Sequence, residues 1–470
     1  MRKLQVSLPS TTKECHLTSH VGNCIQNRFL LLGIGPPSID DLPLCFFYQT
    51  TLESLTNADR ARYLHLQLPT LISRSEAGSA LHLAMQAISL AVWARSRPND
   101  RSASQLSRTR YSQSLAAMNA AIRDPAKVKR DETLYAVLLL SGYETITFDS
   151  EALYAWGTHI DGAASLLRSR GKDNFSTPFA CNMFLFIRRN AIQSHLQISK
   201  PIDPIFDGSA EKLSLYENVE DRLLSKAMRI PALQSLANII LSQPSYAVDY
   251  SVAFELIRAA ETLDVELADW ARRIPRKGAY TTITLMRYYP PAESSSSGFV
   301  PNLIHQYPGF YVARVWNLYR VYRLIIQSIL VRVSSFVSLH HTAHEQDYIR
   351  IEKINRAMVD DVCASVPFLL GYDLSDLKLH PPFEHLRDEN CLWPQNSMEA
   401  SSSGPTGKFS LIWPLYVACS VPSAPETQRK WIRAQLKWIA GTGEAHAHLV
   451  MDADSQTLFG GPESFRFDCV

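Results

Sequence analysis

The chain has no run of about eighteen apolar residues, so its sequence offers no bilayer-spanning helix. It has no CxxC pair and its cysteines are scattered, which argues against both a zinc ribbon and a disulfide framework. Neither a GxSxG nucleophile elbow nor a GxGxxG dinucleotide fingerprint occurs, and no fixed-period repeat points to a solenoid. The N-terminus lacks an apolar stretch directly after its basic residues, so it does not read as a signal peptide. Strand-type alternation is also missing.

What is present is ordinary in bulk and uneven in detail. The 470 residues are 46% hydrophobic with a formal charge of +2, too little for wrapping nucleic acid by bulk electrostatics. Residues 1–130 hold 16 Lys and Arg against 8 Asp and Glu (+8), and the remainder 31 against 37 (−6). Eight cysteines are scattered at Cys15, Cys24, Cys45, Cys181, Cys363, Cys391, Cys419 and Cys469, with spacings that fit buried thiols in a reducing compartment. The chain reads as soluble and intracellular.

Helical periodicity dominates. Leu81, Ala84, Met85, Ile88, Val92 and Trp93 form one stripe of a helix over 76–96. Residues 131–171 read as a helical hairpin: Leu134, Val137, Leu138 and Ser141 on the first arm; Leu153, Trp156, Ile160, Ala163 and Leu167 on the second. Asp131 is placed to cap the first arm, and Gly171 can turn left-handed after the second. Further helices are expected over 45–63, 109–123, 179–197, 217–242, 250–273, 309–338, 346–369 and 428–440. Loops are expected over 97–108, 198–215, 275–307 and 398–408. The fold class is all-α: a large multi-helix domain with two Ser/Pro/Gly-rich surface loops near 275–307 and 395–408, between a mostly disordered lead (1–44) and a tail (456–470).

Chemistry is sparse. Gly404, Gly407, Lys408 and Phe409 fail the phosphate-loop spacing, because two residues rather than four separate the glycines and no Ser or Thr follows the lysine. His340 and His344 stand four apart, but no HExxH motif or third ligand accompanies them. His446 and His448 diverge, as do the adjacent carboxylates Asp360 and Asp361. Residues 125–130 (PAKVKR) resemble a short basic nuclear-import signal.

The hairpin resembles the fungal-specific transcription-factor regulatory domain, the helical region downstream of a binuclear zinc cluster. The resemblance is carried by Asp131 through Leu134, Ala136 through Leu140, Tyr143, Glu144, Trp156, His159, Gly162, Ala163, Leu166 and Leu167 with the run Arg168 to Gly171. It continues in order through Arg188-Arg189, Trp316 to Arg320, Cys363 to Pro367 with Gly371, Trp413 to Tyr416, and Trp431 onward, over about 45–455. One departure stands out. The family's DNA reader takes six cysteines sharing two zinc ions, whereas only Cys15, Cys24 and Cys45 precede the helical domain, at spacings of 9 and 21.

The resemblance implies a nuclear transcription regulator, not an enzyme, without a cofactor in this chain. It would act through other transcription regulators or co-regulators, or a small-molecule effector, touching DNA only indirectly and no membrane. Trp156, His159, Gly162, Arg168, Arg170, Trp316, Tyr319 and Arg320 are the scaffold or regulatory candidates, with no catalytic or metal-binding set. The Gly162-Ala163 pair is expected to admit a neighbouring helix closely, and the arginines to hold carboxylates at helix ends. The alternative is a helical small-molecule-binding protein or an enzyme of a biosynthetic pathway.

Overall fold

The computed structural model describes residues 42–55, 59–97, 99–147, 152–207, 211–244, 248–275, 278–284, 299, 301–338, 345–371, 405–442 and 447. The N-terminal lead, the centres of both Ser/Pro/Gly-rich loops, the His340–His344 pair and the C-terminal tail lie outside them. The all-α reading holds. A first group of helices comprises α1 (Leu42–Ser54), α2 (Arg60–Arg74), α3 (Ala80–Ser96), α4 (Arg101–Arg123), α5 (Asp131–Thr147), α6 (Ala152–Arg170) and α7 (Pro178–Ile198). After a short helix α8 (Glu211–Ser214) come α9 (Val219–Ala227), α10 (Ile230–Ser242), α11 (Tyr250–Arg272), α12 (Phe310–Ser338), α13 (Glu345–Leu370), α14 (Pro405–Cys419) and α15 (Glu426–Gly441).

Local chemistry starts these helices where the sequence provides it. Ser79, Asp100, Thr177 and Asp249 each accept a backbone N–H of the first turn that follows, and Asn218 with Asp221 forms a reciprocal capping box on α9. Asp131 differs from expectation. It is the first helical residue of α5 rather than its cap, and its carboxylate accepts from Arg170 at 2.6 Å. Gly171 does adopt a left-handed conformation (φ 55°), which ends α6 and opens a 3-10 turn over Gly171–Phe175.

Three departures from the sequence reading have clear causes. The loop expected over 97–108 is largely the start of α4, which buries Ala103, Ser107, Ser114 and Met118 against α3. The Ser107 and Ser114 hydroxyls donate to the Ala87 and Ala80 carbonyls at 2.8 and 2.9 Å, so part of its core face is small and polar. The single helix expected over 217–242 is two, because Pro231 at the start of α10 has no N–H to continue the ladder. Residues 275–307 contain a two-stranded antiparallel sheet, β1 (Thr281–Thr284) with β2 (Leu303–Gln306), pairing Ile283 with Ile304.

Among the described residues two large hydrophobic cores result, beside a small cluster of Ala87, Ala91 and Tyr143. One gathers α1 to α7 around Leu68, Leu81, Leu134, Leu140, Leu167 and Phe184. The other surrounds α12 with α9 to α11 and α13 to α15. α7 serves both, placing Phe184 and Ile187 in the first and Ile192 and Leu196 in the second. α12 is long and apolar enough to cross a membrane by length and composition. It is nonetheless buried along most of its length and carries Arg320 and Arg323 into the interior, as a protein core helix does.

Candidate functional site: buried arginines that join the elements

The eight candidate residues fall into two separate places. On α6, Arg170 is buried and crosses back to the start of α5. It donates to Asp131, to the Lys129 carbonyl (2.6 Å) and to Asn174 (3.1 Å), while Asn174 donates to the Leu167 carbonyl at 2.7 Å. Arg168 is exposed and pairs with Asp203 in the loop after α7. Both arginines therefore hold carboxylates near helix ends, one across the hairpin and one outside it. His159 Nε2 lies 3.1 Å from the Tyr111 hydroxyl and 3.8 Å from Glu144. Burial raises the Glu144 carboxyl, but hydrogen bonds from His159 and Tyr111 outweigh it and hold the group below its ordinary range.

Gly162 is not the close-approach point: it is exposed, and a Cβ there would meet nothing within 4 Å. That role belongs to Gly157, where a Cβ would stand 3.1 Å from Ser194 Oγ of α7. Ala163, by contrast, is completely buried. Trp156 lies on α6, with its side chain outside the described set.

The second place is on α12. Trp316, Tyr319 and Arg320 are all buried. Arg320 donates to the Tyr307 hydroxyl (2.8 Å) and Asn317 (2.7 Å), approaches His305 Nδ1 at 3.2 Å and lies 3.6 Å from Asp361. The Tyr280 ring faces its guanidinium at 5.1 Å. Burial, then the Arg320 charge, pushes His305 down to about 3, so it is neutral and its Nδ1 can accept from the guanidinium. Trp316 donates to the Gly278 carbonyl at 2.9 Å and contacts Trp270, Tyr280 and Tyr319 edge-on. The β-hairpin is what brings His305 here.

A third cluster, missing from the candidate set, joins the two cores. Arg60 of α2 pairs with Asp221 and donates to Asn182; Arg188 of α7 reaches Glu217 at 3.0 Å. Arg189 lies 3.1 Å from Glu220, and Arg314 of α12 reaches Asp59 at 2.8 Å and Glu220 at 3.3 Å. Four guanidiniums thus meet four carboxylates inside the protein. Burial raises Glu220, but Arg189, Arg314 and Arg60 outweigh it and hold the carboxyl below its ordinary range. The pairs are separated by up to hundreds of residues in the chain, so the sequence signalled only the Arg188-Arg189 doublet.

These side chains are engaged with one another, an arrangement suited to fixing helix positions. Among the described residues, no group of three His, Cys, Asp or Glu side chains is placed to hold a metal ion. Of the three N-terminal cysteines only Cys45 lies in the described residues, as a buried thiol on α1. In the 125–130 segment, Lys129 and Arg130 are exposed while the Lys129 carbonyl is tied to Arg170.

Comparison with known proteins agrees with the sequence resemblance. The family model for the fungal specific transcription factor domain matches residues 43–197. Transcription factor dbaG of Emericella nidulans is 24% identical over 341 residues, covering 71% of this chain and 73% of that protein. No solved structure matches.

Proposed function

We propose that the chain, whose residues 43–197 match the family model for the fungal specific transcription factor domain, is a nuclear transcription regulator without catalytic activity. It works through its helical body, by contact with co-regulators and by sensing a small-molecule effector. The carrying observation is that similarity to a transcription factor runs over 341 residues, far more than the matched domain alone. The internal pairing of the buried charges supports this reading, since a scaffold with two linked cores can pass a local change at one core to the other. Trp316, Tyr319 and Arg320 hold α12 in register with the β-hairpin, Arg170 ties α6 to the start of α5, and Arg168 ties the end of α6 to Asp203. DNA is reached through partners, and no cofactor is needed by this chain.

A fluorescent fusion to the full chain is expected in the nucleus, and gene deletion is expected to change transcript levels of a defined gene set. Cytoplasmic fusion together with an unchanged transcriptome would overturn the proposal. The purified chain alone is expected not to shift duplex DNA at nanomolar concentration and physiological salt; a sequence-specific shift there would overturn indirect DNA contact.

A further inference from the structure

A cavity of about 520 Å³ lies between α9 and the C-terminal end of α11, within the size range of small-molecule sites. Two stripes with the same helical spacing face it: Arg222, Ser225 and Lys226 on α9, and Glu266, Asp269, Trp270 and Arg273 from α11. The helices run antiparallel and are clamped at both ends. The Trp270 indole donates to the Val219 carbonyl at 3.1 Å at one end, and Lys226 and Arg229 hold Glu266 at the other.

The charges around this cavity do not close. Asp269 is taken by Arg272 and Glu266 by Lys226 and Arg229, whereas Arg222 and Arg273 form no ion pair among the described residues. Two guanidiniums bordering one cavity favour an anion and repel a cation. The remaining lining is apolar, made by Trp270 with Val219, Ile274 and Pro275. A bare phosphate would satisfy the arginines and leave that wall in water. A hydrocarbon without charge would cover the wall and leave the arginines unpaired.

We infer that this cavity binds a small aromatic monocarboxylate, with Arg222 and Arg273 on the carboxylate and Trp270 against the ring. The inference rests on the effector-sensing part of the proposed function and gives it a place. α9 is the common wall: one face lines the cavity, and the opposite face supplies Glu220 and Asp221 to the buried charge cluster. Trp270 in turn touches Trp316 and Tyr319, and the chain leaving α11 passes to Gly278, which holds Trp316. A bound acid braces α9 against α11 and thereby both groups of buried arginines.

The test uses the purified full chain, 2-naphthoate as probe and 2-naphthalenemethanol as its neutral isostere, titrated by calorimetry at physiological salt. Saturable one-to-one binding of 2-naphthoate is expected, weakened at least about tenfold in the Arg222→Gln/Arg273→Gln double variant and at least about tenfold for the isostere. Both arginines are exposed, so the variant is expected to keep the wild-type circular dichroism and melting temperature without ligand. No saturable binding of 2-naphthoate, or equal binding by the double variant or by the alcohol, overturns the site. Deletion that changes transcript levels while the site fails leaves the regulator reading standing. Binding as expected with a cytoplasmic fusion and an unchanged transcriptome overturns the regulator and keeps the site.

Discussion

Arg320 is fully enclosed, and a guanidinium cut off from water must find its solvation in the protein. Tyr307, Asn317, His305 and Asp361 supply it, and the Tyr280 face covers what is left. Arg320→Met keeps the bulk but strands Asp361 and three hydrogen-bond acceptors, at a cost of roughly 3–5 kcal/mol. Urea denaturation should show the lowered midpoint, and Arg320→Lys should not restore it, because an ammonium cannot span the same fork. His65 gives the residue scale a pH handle. Burial pushes it down to about 4, and its Nδ1 lies 2.9 Å from the Tyr135 hydroxyl, which the neutral ring accepts. Its folded value lies below the ordinary 6.5, so the unfolded chain binds the proton first. Stability from this group is complete above about pH 6.5 and falls as pH drops toward 4, by roughly 3 kcal/mol. His65→Asn, which retains an acceptor near Nδ1 without a titrating ring, should flatten that part of the stability–pH curve. An unchanged slope would place the dependence elsewhere.

Two glycines separate what a helix tolerates from what a helix pair tolerates. At Gly407, in the first turn of α14, a Cβ would collide with the backbone carbonyl of Leu369 on α13. Gly407→Ala must part the two helices and should cost about 1–3 kcal/mol. At Gly162, in the middle of α6, a Cβ meets open space, so Gly162→Ala should stabilise by up to about 1 kcal/mol through helix propensity. Thermal melts of both variants check the opposite signs. The same pair shows what could be read from the sequence. Helices with an apolar stripe, such as α3, α5 and α12, were legible because burial there is apolar and periodic. The first turns of α4 were not, since Ser107 and Ser114 face α3 through hydrogen bonds that a hydrophobic pattern cannot register. Gly162 looked like a packing residue beside Ala163, yet the two point about 100° apart around the helix and only Ala163 is buried. β1 and β2 are four residues each, too short for alternation to stand out. Of the candidate residues, Arg170 and Arg320 could be singled out in sequence, but their partners Asn174, Tyr307 and Asp361 are fixed only by the fold.

At the scale of the whole molecule, two cores must be kept in one arrangement, and apolar contact through α7 is only part of the joint. The charge cluster crosses the same boundary: Asp59 and Arg60 come from the beginning of α2, Arg188 and Arg189 from α7, Glu220 and Asp221 from α9, and Arg314 from α12. Its balance makes each member costly to remove. Arg189 is pushed below the ordinary arginine range by burial and then by the nearby Arg314 charge, and Glu220 is the carboxylate between them. Glu220→Gln therefore leaves two buried guanidiniums facing each other, at roughly 3–5 kcal/mol. Arg189→Met in that background removes one of the opposed cations and should recover part of the loss, giving a coupling of at least about 0.5 kcal/mol in a double-mutant cycle. The cluster also sets an acid limit. Glu220 has a folded value below the ordinary one, so its stabilisation is present above the unfolded pKa and is lost as pH falls through the folded value. If the cluster is what makes the cores unfold together, weakening it should separate them. Tryptophan fluorescence, which includes Trp270 and Trp316 of the second core, and far-ultraviolet circular dichroism, which follows helices of both, should give coincident urea transitions in the wild-type chain. They should part in Glu220→Gln. Coincident transitions in the variant would show that apolar packing, with α7, Ile202 and Met228 touching both cores, couples them without the cluster.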